Sequence, residues 1–129
     1  MTAPAAAAPT LVFVYGTLKR GGANHRYLAG QRFVASARTA AGFLLYGLDG
    51  YPGMVAGGAA DDAVTGEIWE VSAECLRELD RFEGVDEGLF RRAAIPLAPP
   101  HAALAVQAYL YARPVAGRAR FGATWPDSD

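Results

Sequence analysis

Only one segment of this 129-residue chain has helical periodicity, and it is short. Ser72 is a good N-cap, an amphipathic stretch follows from Ala73 to Phe82 or Glu83, and Gly84 is a stop. The remaining apolar residues come in short runs bounded by glycine, proline or aspartate. These runs lie at 11–15, within 32–45 (one or two strands), and at 51–56, 64–71, 89–97 and 103–111. Pro52 confines its run to a sheet edge or places it at a strand start. A further short helix is expected from Asn24 to Leu28, with Asn24 as its cap. Strands outnumber helices and do not alternate with them. The fold class is therefore α+β with a mixed or mainly antiparallel sheet, which has the option of closing into a barrel.

Size and charge narrow the function. A chain of this length forms one domain and buries roughly two-thirds of its unfolded surface. The domain is expected over 11–113. An Ala/Pro-rich tail at 1–10, expected to be disordered, precedes it, and an irregular tail at 114–129 follows. The single cysteine excludes a disulfide framework, and with two distant histidines it excludes a standard structural zinc site. Neither a metal nor a cofactor is expected. No apolar run approaches the ~18 residues that span a bilayer, and no secretory signal opens the chain. A cytoplasmic protein without a membrane partner is the expectation. The net charge of -1 argues against nucleic acid.

That net charge conceals an asymmetry. Five basic residues and no acid lie in 1–48, whereas eight acids and two arginines lie in 67–87. One acid stands apart. With Leu76 as origin and 100° per residue, Cys75, Leu79 and Phe82 share an arc. Glu83 falls with them, and Asp80 sits on the rim. Burial raises a carboxyl pKa, and a position at a helix C-terminus pushes the same way. These conditions suit a general acid–base near neutral pH. The alternative is that the helix ends at Phe82 and Glu83 turns to solvent, or pairs with Arg91 or Arg92. The other seven acids are expected on the solvated surface.

A second segment breaks off sharply. Tyr15-Gly16-Thr17-Leu18 follows a buried strand, and successive backbone amides after such a strand can bind an anion. An ordinary turn is the competing reading. It is not a nucleotide-binding Walker loop, since Lys19 is not followed by Ser or Thr. Cys75, on the apolar face, reads as a structural thiol. His25 reads mainly as a structural hydrogen-bonding residue, and Trp69 and Tyr109 as core. The segment 51–53 reads as a strand start that could border a pocket. Arg91 and Arg92 point to opposite faces of a strand, so at most one can face a site.

Taken together, the segments resemble the gamma-glutamylcyclotransferase family, in particular its small γ-glutamylamine cyclotransferase-like branch. The first block is Val12-Phe13-Val14-Tyr15-Gly16-Thr17-Leu18-Lys19-Arg20-Gly21, then Asn24-His25 and Leu28. The second is Gly66-Glu67-Ile68-Trp69-Glu70-Val71, then Leu79-Asp80-Arg81-Phe82-Glu83-Gly84 and Phe90-Arg91-Arg92. The resemblance covers residues 11–111. It implies a small mixed β-barrel with flanking short helices and a small γ-glutamyl substrate. It implies that Glu83 is the catalytic residue, and that Tyr15, Gly16, Thr17 and Leu18 line the γ-glutamyl pocket. The family often has Tyr where this chain has Phe90. The implied reaction is attack of the substrate's α-amine on its own γ-carbonyl, giving 5-oxoproline and a free amine. Two other functions remain open: removal of a γ-glutamyl protecting group from a biosynthetic intermediate, and non-catalytic small-molecule binding. The sequence carries no sign of oligomeric state.

Overall fold

A computed structural model describes residues 9–126. The elements run β1 (Thr10–Val14), a 3₁₀ turn (His25–Leu28), β2 (Arg32–Arg38), β3 (Phe43–Gly47), β4 (Pro52–Ala56), β5 (Thr65–Val71), α1 (Ala73–Phe82), β6 (Phe90–Ile95), β7 (Val106–Tyr111) and β8 (Arg120–Phe121). The strand order is β2-β5-β1-β7-β4-β3-β8, with β6 pairing β7, and the mixed sheet curls into a half-barrel. Pro52 begins β4, but β4 is internal to the sheet, between β7 and β3. It tolerates proline there because only its first residue lacks a donor.

β1 shows why a continuous apolar run is needed. Phe13 and Tyr15 face an inner cluster with Leu45, Met54, Ile68 and Leu110. Val12 and Val14 face a second cluster with Trp69, Leu79, Phe90 and Tyr109. A strand covered on both faces cannot alternate apolar with polar. α1 lies over the second cluster and drives Leu79 into it with no exposure.

The pairing of β7 creates the site. β6 runs antiparallel to β7 along its whole length. β1 and β4 both run parallel to β7, but at different points: Val12 lies opposite Gln107, and Met54 opposite Leu110. β1 therefore departs where β4 arrives. The Tyr15 hydroxyl bridges the splay, donating to the Tyr109 carbonyl at 2.6 Å and accepting from the Met54 amide at 3.1 Å. Both are backbone groups that a continuous ladder would have satisfied.

Of the N-terminal tail expected over 1–10, residues 1–8 lie outside the described residues, while Thr10 already pairs with Val71. Within 114–126 most of the chain is irregular, but β8 pairs with β3 and Phe121 and Trp125 pack on the inner cluster. Apolar side chains on a two-residue strand leave too little periodicity to read.

Candidate active site

α1 ends in a way that places Glu83. The Gly84 amide donates to the Arg81 carbonyl at 3.2 Å, and the Val85 amide donates to the Asp80 carbonyl at 3.0 Å. This is a Schellman closure, with Gly84 at φ +66° as its left-handed residue. Glu83 is the last residue in the helical region, and its amide still bonds to Leu79. It therefore keeps the phase of the buried face. Ser72 caps the other end, its side chain accepting from the Cys75 amide.

The Glu83 side chain lines a cleft of about 350 Å³, together with Tyr15, Gly16, Thr17 and Leu18. No hydrogen bond or ion pair reaches its carboxylate among the described residues, and burial is the cause of its raised pKa. Arg92, the candidate partner, binds Asp80 instead, with contacts of 2.8 and 3.0 Å. Arg91 is exposed. Burial pushes Glu83 up from its ordinary 4.5 to about 7. Burial and then the charge of Glu83 hold Tyr15 well above the usual tyrosine range; at Tyr109 burial leads, followed by the hydrogen bond to and charge of Asp80, with Glu83 the smallest contributor.

The loop is built by its own hydrogen bonds. The Lys19 amide bonds to the Gly16 carbonyl, and the Asn24 amide to the Thr17 carbonyl. Asn24 Nδ2 donates to Thr17 Oγ1 at 3.0 Å, and His25 Nδ1 lies 2.9 Å from the Leu18 carbonyl. Asn24 therefore ties down the loop and gives the 3₁₀ turn no side-chain cap. Gly16 is required by packing: an added Cβ would stand 2.6 Å from Pro52 Cγ. The carbonyls of the loop point into these bonds. The amides of Gly16, Thr17 and Leu18 have no protein acceptor among the described residues. The Tyr15 and Thr17 hydroxyls are engaged, and the three amides without an acceptor belong to residues that line the cleft.

Tyr109 is buried in the second core cluster, as expected, and it also lines the cleft, its hydroxyl donating to Asp80 Oδ1 at 2.7 Å. Burial raises the Asp80 carboxyl, but the hydrogen bonds from Arg92 and Tyr109 and the Arg92 charge outweigh it and hold the group below its usual range. Strand alternation was a usable signal, since Tyr109 shares a face with Tyr111 on the helix side of β7. Tyr51 and Pro52 border the cleft, as do Phe82, Leu89 and Phe90.

Two further expectations are corrected or refined. Glu67 is buried, not solvated: its carboxylate accepts from the Arg20 amide and Nε and from Trp69 Nε1, each at 3.0 Å. Burial raises it, yet those bonds together hold it low. Arg20 pairs with Glu67 and Arg32 with Glu70, so the charge asymmetry is partly pairing between the two segments, while Asp80 of α1 pairs with Arg92 of β6. Cys75 lies outside the cleft, and its Sγ reaches the Tyr27 carbonyl at 3.5 Å. Burial, then the charge of Glu78, raises its thiol, the opposite of nucleophilic activation.

The cleft is thus lined by one buried carboxyl with a raised pKa and by three residues whose backbone amides have no protein acceptor, with no activated nucleophile among the described residues. A buried carboxyl beside unpartnered backbone donors is an arrangement that acid–base chemistry can use. The pattern of the family described as gamma-glutamyl cyclotransferase, AIG2-like, matches residues 12–126. A putative gamma-glutamylcyclotransferase of Vibrio cholerae is 41% identical over 75 residues, covering 58% of this chain and 63% of that protein, somewhat under two-thirds of its length. A gamma-glutamylaminecyclotransferase of Homo sapiens is 36% identical over 123 residues, covering 80% of this chain and 78% of that one. The crystal structure of an AIG2-like protein from Mus musculus superimposes with a TM-score of 0.65 at 30% identity, covering 82% and 78% of the two chains. This chain belongs to the gamma-glutamyl cyclotransferase, AIG2-like, family.

Proposed function

We propose that this protein cyclises a γ-glutamyl amide or peptide to 5-oxoproline and a free amine, with Glu83 as the acid–base group. The observation that carries the reading is the unpartnered Glu83 carboxylate, with its pKa near 7, in the same cleft as the 16–18 amides. Near neutral pH such a group is present in both protonation states. As a carboxylate it takes a proton from the substrate's α-ammonium. The freed amine attacks the γ-carbonyl, and a C–N bond forms as the ring closes. Glu83 then gives its proton to the departing nitrogen as the original amide C–N bond breaks. The ring nitrogen's surplus proton passes through solvent to the released amine.

No covalent intermediate is needed, because the attack is intramolecular. Well-oriented cyclisation reaches effective molarities of about 10⁵ M or more, and proton transfer adds roughly 10² to 10⁴-fold. The loop amides hold the α-carboxylate or the developing oxyanion. The unpaired thiol of Cys75 suits a reducing, cytoplasmic setting.

The test is Glu83→Gln, assayed for 5-oxoproline release and for binding of a γ-glutamyl ligand. Retained binding without release is expected, and full turnover by the variant overturns the assignment.

A further inference from the structure

Glu67 is the one buried acid among the described residues, and the proposed reaction gives it no task. Its place in the sheet shows what it can hold. It lies opposite Val14, the last residue of β1. The chain then runs out through 15–19 and returns at Arg20, whose amide and Nε each donate to the Glu67 carboxylate at 3.0 Å. One residue thus fixes both ends of the cleft loop, the departing strand through the ladder and the returning chain through its carboxylate.

A second route starts from the same carboxylate. Trp69, on the same face two residues on, donates from Nε1 to the oxygen that also takes the Arg20 amide. The Trp69 ring meets the His25 ring edge to face at 5.2 Å, and His25 Nδ1 lies 2.9 Å from the Leu18 carbonyl. A carbonyl only accepts, so Nδ1 carries the hydrogen in this contact. Glu67 therefore reaches the loop at Arg20 directly and at Leu18 through Trp69 and His25.

What these anchors control is peptide orientation. In a planar trans peptide the N–H and C=O point opposite ways. The Gly16 carbonyl takes the Lys19 amide, and the Thr17 carbonyl takes the Asn24 amide. The Thr17 and Leu18 amides share those peptide planes and are turned away from the loop's own bonds. The loop has little slack, since a Cβ on Gly22 would collide with the Thr17 carbonyl. A shift at Arg20 is therefore passed on to 16–18.

We propose that Glu67 is a positioning residue for the cleft: it sets where the 16–18 amides stand, and so how the γ-glutamyl group is held, without touching the substrate. This deepens the cyclotransferase reading, and its effect on activity rests on that reading. The bond to the Arg20 main chain carries the effect, not the ion pair, because the Arg20 side chain is 52% exposed. Glutamine at 67 keeps an oxygen for the Arg20 amide and Trp69 and loses only the guanidinium. Methionine fills the space and accepts neither bond.

The experiment compares Glu67→Met and Glu67→Gln with wild type by two readouts. The first is kcat/KM for 5-oxoproline release from γ-glutamyl-butylamide and γ-glutamyl-alanine. The second is amide hydrogen exchange, followed by NMR, at Lys19, Gly22 and Asn24 of the loop and at Glu83 of α1. Glu67→Met is expected to lower kcat/KM by about 10–100-fold and to speed loop exchange by about tenfold or more, with the Glu83 amide unchanged. Glu67→Gln should stay within about threefold of wild type in both. If Glu67→Met does not fold, the double variant Glu67→Met, Trp69→Phe takes its place, since it also removes the orphaned indole donor. Wild-type kcat/KM in the folded methionine variant overturns the proposal. So does exchange that rises equally at Glu83, which marks general destabilisation, and so does a glutamine variant as impaired as methionine, which marks the ion pair. If wild type releases 5-oxoproline from neither substrate, the cyclotransferase reading fails, and the exchange data alone decide whether Glu67 holds the loop.

Discussion

Replacing Glu83 by glutamine should make the protein more stable as it removes activity, and only above a certain pH. Burial raises the Glu83 pKa from 4.5 to about 7. Across that window the folded state binds more protons than the unfolded state, so stability falls as pH rises from 4.5 to 7. At about 1.4 kcal/mol for each tenfold in proton affinity, the full penalty is about 3 kcal/mol. The carboxylate opens on a solvent-accessible cleft, so about 1–3 kcal/mol is the working range. Glutamine has nearly the same shape and is neutral at every pH. The variant should therefore exceed wild type by that amount at pH 8 and differ little at pH 4. In a chain of this size the gain corresponds to a rise in Tm of roughly 3–10 °C at pH 8. Urea denaturation at pH 4, 6 and 8, with differential scanning calorimetry alongside, reads it directly. A difference that does not change with pH, or a wild type that gains on the variant as pH rises, refutes the reasoning that burial is what raises the Glu83 pKa.

Other perturbations bear on the supports of the site. Asp80→Asn removes the carboxylate that Arg92 and Tyr109 share, and should cost about 1–2 kcal/mol in urea at pH 7, since the pair is about one-quarter exposed. Because the Asp80 and Glu67 pKa values are depressed, both contribute stability above their unfolded pKa and lose it as pH falls through the folded one. Acid-unfolding curves of Asp80→Asn and Glu67→Gln should therefore be flatter than wild type, the opposite of the Glu83 effect. Gly16→Ala forces a methyl to within 2.6 Å of Pro52 Cγ, and should cost about 1–3 kcal/mol and raise KM by moving the loop amides. Leu79→Ala empties a fully buried position beneath α1 and should cost about 2–5 kcal/mol in denaturant.

Local patterns carried much of the architecture. Ser72 and Gly84 bracket α1 as their capping chemistry requires, and the five-residue run at 11–15 is a strand covered on both faces. The helical phase put Glu83 with Leu76 and Leu79, and the Schellman closure preserves that phase through the last residue. At 16–18 the sequence left two readings open, a row of anion-binding amides and an ordinary turn. What local reading missed has a common cause. Glu67 was assigned to solvent because an isolated strand pattern says nothing about Arg20, 47 residues away. Tyr109 is in the core as read, but that it also lines the cleft was not legible, because its polar partner, Asp80, is on another element 29 residues away.

The sequence alone singled out two local features: one glutamate in helical phase with apolar neighbours, and one glycine-broken strand end. These follow from short-range periodicity and capping, which need only a few neighbouring residues. Tertiary structure decided that the two meet. The parallel pairing of β1 and β4 with successive parts of β7 splays the sheet, Tyr15 spans the opening, and α1 brings Glu83 to it. The raised pKa of that carboxylate is likewise a property of the assembled cleft, because desolvation depends on every element packed around the group and not on its own helix.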